Sequence, residues 1–446
     1  MTKALPQLAR RAATGSVSLV LRLMSLVGKL GLSLYMGRYF ALTELGLYGL
    51  AFGAVMLAVV AFGFRVDYIV SREILGMPEQ RQRRIGSEVA LLYFGSFLLA
   101  APFALGALFL FGSGGNAGLL LLIYLLCGFE AYANFLYTVT IALKRPALAN
   151  ALFFVRAGLW TIPAVAVSYF DPAYRTVSFV IGCWIAGAGA SVFLNMWLMR
   201  RQLVGFIPLR WSEMTEVRQY SRRALLVWIG SVAVTMGGYL DRFVLASFLS
   251  LKDVGVATFY TSFTTAVITL VQSATTSVTF PSLIEKFDAG RHDAFAKELR
   301  KTELTAAAVA LVILVGLAVM MLLMGKLMHK PELVAAYPVF LLLLVAALIR
   351  THAETLYYGL FVQRQHRAIW IGNLLFLATS LVLNLVFIPM FGLYGLGIAA
   401  IASAIMLALW RWATLKSGKG AVTGARKLRG TMAWFAAAGG EDAAAG

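Results

Sequence analysis

Apolar runs long enough to cross a bilayer recur along this 446-residue chain, and the polar residues fall mainly in short gaps between them. Twelve segments can be drawn, at about 14–37, 46–70, 86–111, 118–141, 147–169, 176–199, 224–248, 254–280, 303–325, 338–361, 368–388 and 395–415. They predict an all-α polytopic membrane protein of about 12 transmembrane helices, with no room for a sizeable soluble domain. Residues 1–199 and 224–415 then each supply a lobe of six helices. The stretch between them, 200–223, carries six arginines with Trp211 and two glutamates, and is expected to lie as an amphipathic linker at headgroup level. Residues 283–302 alternate acids and bases as a solvated surface helix does, and the Gly- and Ala-rich basic tail at 416–446 is expected to be disordered.

The first segment departs from a plain lipid-facing helix. Ser18, Arg22, Ser25, Lys29 and Ser33 share one helical face, opposite Leu, Val and Met. A cation near the bilayer centre costs about 2.5–3.5 kcal/mol, so two on one helix must face protein or water. Either they pair with acids on a neighbouring helix, or they line a wet cationic cavity that suits an anionic cargo.

The chain carries 39 Lys and Arg against 20 Asp and Glu, a formal charge of +19. Such an excess raises nucleic acid as a partner, but its placement in short loops excludes it. With both termini cytoplasmic, inner segments hold 28 basic residues and the six outer loops hold 5, as the positive-inside rule requires for an even number of spans. The basic lead (Lys3, Arg10, Arg11) lacks the small-residue pattern of a cleavage site, so the first segment is expected to be an uncleaved anchor.

Little in the chain suggests catalysis. The outer loops are too short to carry catalytic groups, and there is no phosphate-binding G-x-x-x-x-G-K-[ST] loop, zinc-type His pair or nucleophile elbow. His292, His329, His352 and His366 are scattered, and Cys127 and Cys183 sit in apolar segments as expected free thiols. No enzyme activity, cofactor or metal is implied.

Shifting the sequence by 209 residues lays Leu42, Glu44 and Gly46 on Leu251, Asp253 and Gly255, so the same acid-x-Gly turn opens the second and eighth segments. A shift of 220 aligns Leu136 and Tyr137 with Leu356 and Tyr357, and Lys144 with Arg364. A parallel repeat of six plus six spans follows, with a pseudo-twofold axis along the membrane normal. Arg22 and Lys29 then match Ser231 and Gly238, so these cations belong to the first lobe only. In the eighth segment Thr258, Ser262, Thr265, Thr269, Gln272, Thr276 and Thr279 form a polar face, either helix-to-helix glue or a lining for sugar hydroxyls. The remaining intramembrane charges are Arg65, Asp67, Glu130, Arg156, Asp241, Arg242, Arg350 and Glu354. Arg65 and Asp67 are placed to snorkel, Arg350 and Glu354 to pair at i,i+4, and Glu130 to face Arg350 across the axis as a gate latch.

Several stretches resemble the oligosaccharide flippases (O-antigen and exopolysaccharide) of the multidrug, oligosaccharidyl-lipid and polysaccharide exporter superfamily. They are LYMGRYFALTELGLY from Leu34, FGFRVDYIVSREI from Phe62 and NLVFIPMFGLYGLGIAA from Asn384. The resemblance implies two lobes rocking between inward-facing and outward-facing states and carrying a polyprenyl-pyrophosphate-linked oligosaccharide outward across the bacterial inner membrane. The related lipid II flippases have fourteen spans, and the shorter count here is expected to disfavour that cargo. A cation-coupled multidrug exporter needs cavity carboxylates, whereas five cations (Arg22, Lys29, Arg156, Arg242, Arg350) stand against three acids (Glu130, Asp241, Glu354). The expected site is therefore those five cations for pyrophosphate, Thr258, Ser262, Thr265, Thr269 and Gln272 for sugar, and the three acids for ion coupling or gating. Expected partners are the lipid-linked oligosaccharide, membrane lipids, and polysaccharide polymerase and chain-length proteins, around a monomer.

Overall fold

A computed structural model describes residues 4–111, 117–200, 214–328 and 330–417. Most of the expected linker helix (201–213), nearly all of the expected disordered tail (418–446) and His329 lie outside these residues. The described chain is helical with short connections, and twelve of its helices are long and apolar enough to cross a membrane: α1 Val20–Tyr39, α2 Leu42–Gly76, α3 Glu79–Gly106, α4 Ala117–Ala142, α5 Pro146–Phe170, α6 Val177–Leu198, α7 Thr215–Phe248, α8 Leu251–Thr276, α9 His292–Gly325, α10 Tyr337–Val362, α11 His366–Phe391 and α12 Leu393–Lys416. The chain is thus an all-α polytopic membrane protein. Phe103 and Phe109 are 82% and 87% exposed, which in water would be an unpaid apolar surface but is the normal state of a lipid-facing side chain.

One expectation is corrected. Residues 283–302 do not make a separate surface helix: a helix Ser277–Asp288 continues α8, a turn follows, and α9 already begins at His292. The alternating charges instead tie these two helix ends together, through Lys286 to Glu298 at 3.0 Å and Arg291 to Glu285 at 3.3 Å. Gly290, at φ +70°, makes the turn.

The internal repeat survives in backbone register. At a shift of 209, α2 begins at Leu42 and α8 at Leu251. The hydrogen bonds around both starts coincide as well: Phe40 N to Met36 O matches Leu249 N to Leu245 O, and Leu45 N to Ala41 O matches Val254 N to Ser250 O. At a shift of 220, α4 spans Ala117–Ala142 and α10 spans Tyr337–Val362, and both end in the same left-handed cap. Lys144 (φ 61°) and Arg364 (φ 59°) occupy the cap position. The paired bonds Lys144 N to Ile141 O with Arg145 N to Thr140 O recur as Arg364 N to Phe361 O with Gln365 N to Leu360 O, the Schellman pattern. Six plus six spans is consistent with this register.

The described chain forms two compact units: residues 1–263 with 324–336, and residues 264–323 with 337–446. In the first, Val66, Val70, Ile85, Val89, Tyr93, Phe135, Val139 and Tyr220 form a buried apolar cluster where α2, α3, α4 and α7 meet. Helix α2 breaks beside it. Gly63, Phe64 and Arg65 are all left-handed, at φ +75°, 50° and 56°. Tyr93 fills the space a side chain at Gly63 would need, and the Trp228 indole donates to the Ala61 carbonyl at 3.1 Å. Asp67, expected to snorkel, is instead buried beside Arg65 at 3.6 Å. In the second unit Leu283, Phe295, Leu299 and Val362 bury one another, and Leu299 closes on Gly359.

Candidate functional site

The polar stripe of α1 meets protein along most of its length, with Lys29 half-buried and Arg22 exposed. Ser25 and Ser33 are buried, while Val17, Val20, Met24 and Val27 on the other face are exposed. Arg22 Nε donates to Asn150 Oδ1 at 2.8 Å and its Nη2 to the Tyr137 hydroxyl at 2.6 Å. Asn150 is itself held by donating to the Pro146 carbonyl at 2.7 Å. Arg22 is thus aimed by two neutral groups, neither of which offsets its charge. Lys29, two turns and about 10 Å further along, has aromatic company instead: its Nζ is 5.8 Å from the Phe52 ring centre and 6.0 Å from that of Trp184. Among the described residues no carboxylate comes within ion-pair distance of either cation.

Trp184 organises the neighbourhood. It is 1% exposed, stacks on Trp160 at 5.5 Å with the rings 6° from parallel, and packs against Phe52 at 5.7 Å. Gly187 lets Trp160 in, since a β-carbon there would lie 2.9 Å from the Trp160 side chain. The Trp184 indole donates to Glu130 Oε1 at 2.6 Å, and Arg156 Nε lies 3.4 Å from Glu130 Oε2. Arg156 reaches this point from a π-helical turn, Val155–Leu159, in the middle of α5. One wide turn of this kind shifts the face that the following residues present. Glu130 therefore has two partners in its own unit, and Arg156 is a compensated cation.

Phe52 continues to Tyr239 on α7 at 5.9 Å, and Tyr239 lies under the guanidinium of Arg242 at 5.0 Å. Arg242 is 4% exposed and donates through Nη2 to the Thr261 hydroxyl at 2.9 Å, while its buried Nε and Nη1 have no partner. Asp241 points back to the chain, accepting from the Arg242 backbone N–H at 2.9 Å. A row of cation, ring, ring and cation thus runs from Lys29 through Phe52 and Tyr239 to Arg242.

The polar face of α8 divides. Thr258 is buried against Gly49 and Ser262 donates to the Thr258 carbonyl at 2.7 Å, whereas Thr265 and Thr269 are exposed and Gln272 is half-buried.

In the second unit Arg350 Nε donates to Glu354 Oε1 at 2.9 Å, the i,i+4 pairing expected from the sequence. A second cation, Arg411, reaches the same oxygen at 3.4 Å. It is 1% exposed, with Nη1 donating to the Ala353 carbonyl at 2.8 Å and Nη2 to Asn373 Oδ1 at 3.2 Å. Arg411 thereby joins three helices, α10, α11 and α12, and the latch expected between Glu130 and Arg350 finds each of the two already paired inside its own unit.

Among the described residues no cluster of His, Cys, Asp and Glu is arranged to hold a metal ion. Trp184, Phe52, Tyr239 and Arg411 were not singled out from sequence. The Trp184 indole N–H in mid-span is the one signal that pointed to a polar partner.

The backbone resembles solved membrane transporters. The lipid II flippase MurJ, in an inward closed conformation, superposes with a TM-score of 0.70 at 14% identity, over 90% of this chain and 87% of that one. An inward-facing multidrug resistance MATE-family transporter of the MOP superfamily gives 0.60 at 14% identity, over 90% and 98%. A mutant of the Vibrio cholerae MATE transporter VcmN gives 0.56 at 17%, over 91% and 98%. No protein-family model and no curated protein matches the sequence. The chain shares its fold with these solved transporters.

Proposed function

We propose that this protein is a flippase, not an enzyme. In this reading it carries a polyprenyl-pyrophosphate-linked oligosaccharide from the inner to the outer leaflet of the bacterial cytoplasmic membrane for surface polysaccharide synthesis. Its lobes, 1–199 and 224–415, alternate in access, and its termini stay cytoplasmic by the 28 to 5 bias of basic residues. Polysaccharide polymerase and chain-length proteins are its proposed neighbours. The observation that carries the reading is the uncompensated charge at Arg242 and Lys29. Arg242 keeps two buried guanidinium nitrogens without a partner, and Lys29 lies against ring faces with no carboxylate in ion-pair distance. A bridged cation would be stable without cargo, whereas these await an anion, and a pyrophosphate brings about two charges.

The acids favour the same cargo over organic cations. Glu130 is taken by Arg156 and Trp184, and Glu354 by Arg350 and Arg411, which leaves Asp241 alone for a cationic drug. The likeness to a lipid II flippase supports a lipid-linked cargo as a class. With the cell interior negative, outward passage of two charges is favoured by about 4–5 kcal/mol per 100 mV, which drives flipping without ATP.

Binding to the purified protein, followed by tryptophan fluorescence, tests this. Inorganic pyrophosphate is expected to bind competitively with a short-chain polyprenyl-pyrophosphoryl sugar, and tetraphenylphosphonium not to bind. Binding of the organic cation with loss of it in Asp241→Asn would replace this reading by a multidrug exporter.

A further inference from the structure

With the termini cytoplasmic, the outer loops hold five basic residues, and two of them, Arg38 and Arg175, meet on one tyrosine. The guanidinium carbon of Arg38 lies 5.3 Å from the centre of the Tyr39 ring, and that of Arg175, on the turn between α5 and α6, lies 5.1 Å from it. The two cations therefore stand within about 10 Å of each other, a range over which like charges still repel in ordinary salt. Arg175 is held in place. Its Nε donates to the Ser168 carbonyl at 3.0 Å and its Nη2 to the Tyr169 carbonyl at 3.5 Å, which caps the open end of α5. Arg38 is exposed and makes no hydrogen bond to the described residues.

The acids of this corner already answer other donors. Glu44 accepts the Val177 backbone N–H at 2.6 Å where α6 begins, and Asp171 accepts that of Ala173 at 2.9 Å inside the turn. Among the described residues no carboxylate lies within ion-pair distance of Arg38 or Arg175, whereas Lys252, another outer cation, is paired with Glu332 at 2.7 Å. The fold of a lobe does not require the two arginines to converge: at the shift of 209, Arg38 and Tyr39 fall on Ser247 and Phe248 at the matching end of α7. The surroundings set the depth. Tyr39 meets Tyr169 edge-on at 6.1 Å, and Tyr169, Phe170 and Tyr174 are all exposed. Exposed aromatic rings at the end of a span mark the level of the headgroups, where lipid phosphates lie. A guanidinium resting on a ring keeps its N–H edge free for phosphate oxygens, which it binds in pairs.

We propose that Arg38 and Arg175, on the Tyr39 ring they share, form a binding site for the phosphate of an anionic phospholipid in the outer leaflet. Two cations repel the ammonium of a zwitterionic headgroup, so the lipid is one of net negative charge. The site is separate from cargo carriage and rests on the transport reading only for the side of the membrane it faces.

Purified protein titrated with phosphatidylglycerol and followed by native mass spectrometry tests this. Arg38→Gln, which breaks no hydrogen bond among the described residues, is expected to lower the affinity for one bound lipid about tenfold. Adding Arg175→Gln abolishes that binding. Arg72→Gln is the control, since it removes another cation over a tyrosine, 4.3 Å from the Tyr68 ring centre, and leaves the lipid bound. Phosphatidylglycerol with a photoreactive headgroup is expected to crosslink within 38–40 or 168–176. Equal affinity in Arg38→Gln and the parent, an equal loss in Arg72→Gln, or crosslinks confined to other segments overturns the proposal. Phosphatidylcholine or inorganic phosphate binding as tightly as phosphatidylglycerol overturns it too, by removing the selection for a charged lipid.

The leaflet is read separately. In a background of Cys127→Ala and Cys183→Ala, Ala173→Cys on the exposed turn is expected to react with an impermeant maleimide added outside intact spheroplasts. Reaction only after the membrane is opened overturns the outer-leaflet site together with the orientation of the transport reading. Failure of pyrophosphate to bind the parent removes the cargo and leaves the lipid site standing.

Discussion

The indole Nε1 of Trp184 donates to Glu130 Oε1 at 2.6 Å across 54 residues of sequence, from α6 to α4. With Arg156 on the other oxygen, this bond removes Glu130 from the pool of free acids and fixes the ring against which Lys29 lies. Trp184→Phe keeps an aromatic ring, smaller than the indole, and deletes the donor. It is expected to cost about 1–3 kcal/mol, read as a lower melting temperature of the purified protein. Glu130→Gln in the Trp184→Phe background then costs less than Glu130→Gln alone.

The uncompensated cations predict opposite signs for stability and binding. Removing a buried charge that no carboxylate bridges relieves a desolvation penalty, so Arg242→Met is expected to raise the melting temperature. The same change, and Lys29→Ala, lowers pyrophosphate affinity by about tenfold each, or about 1.4 kcal/mol. If Arg242→Met and Lys29→Ala both bind pyrophosphate as the parent does, the anion site lies elsewhere.

Arg411 predicts the reverse sign. Arg411→Met removes the bonds that Arg411 gives to Asn373 and the Ala353 carbonyl and leaves Glu354 with a single cation. The expected loss is about 3 kcal/mol, again read by thermal unfolding. A further Glu354→Gln recovers part of it, since the carboxylate then no longer needs two counter-charges.

At the break in α2, Gly63 sits at φ +75° with the Tyr93 ring where a side chain would go. Gly63→Ala is expected to destabilise by about 2 kcal/mol or more, because about 1–2 kcal/mol of left-handed strain adds to the displacement of Tyr93. Gly76→Ala, in open space at the end of the same span, changes the melting point little.

The twelve spans and the repeat were legible in the letters because lipid demands an unbroken apolar run and a duplicated turn keeps its acid and glycine. That Arg22 and Lys29 find partners in protein was legible for the same reason, their cost in hydrocarbon. Arg350 with Glu354 followed from helical spacing. Glu130 with Arg156 and Trp184 did not, since nothing in the sequence says which residues of α4, α5 and α6 share a level, and the π-turn at Val155–Leu159 displaces Arg156 from its regular face. Arg411 was hidden by position: near the end of the last span, a basic residue reads as one more inner-loop charge. The turn at 289–291 was hidden because an acid-base alternation looks the same on one helix as across two.

The twin caps at Lys144 and Arg364 bear on how the halves of this chain record their common origin. Letters at the shift of 220 have drifted until only a few agree, yet both caps kept a left-handed residue, and neither drifted to the glycine that adopts it most easily. What persisted is the handedness of a peptide unit and the carbonyl each amide answers to. The correspondence between the halves is therefore better kept in torsion angles than in the alphabet, and a comparison by side chains alone underestimates it.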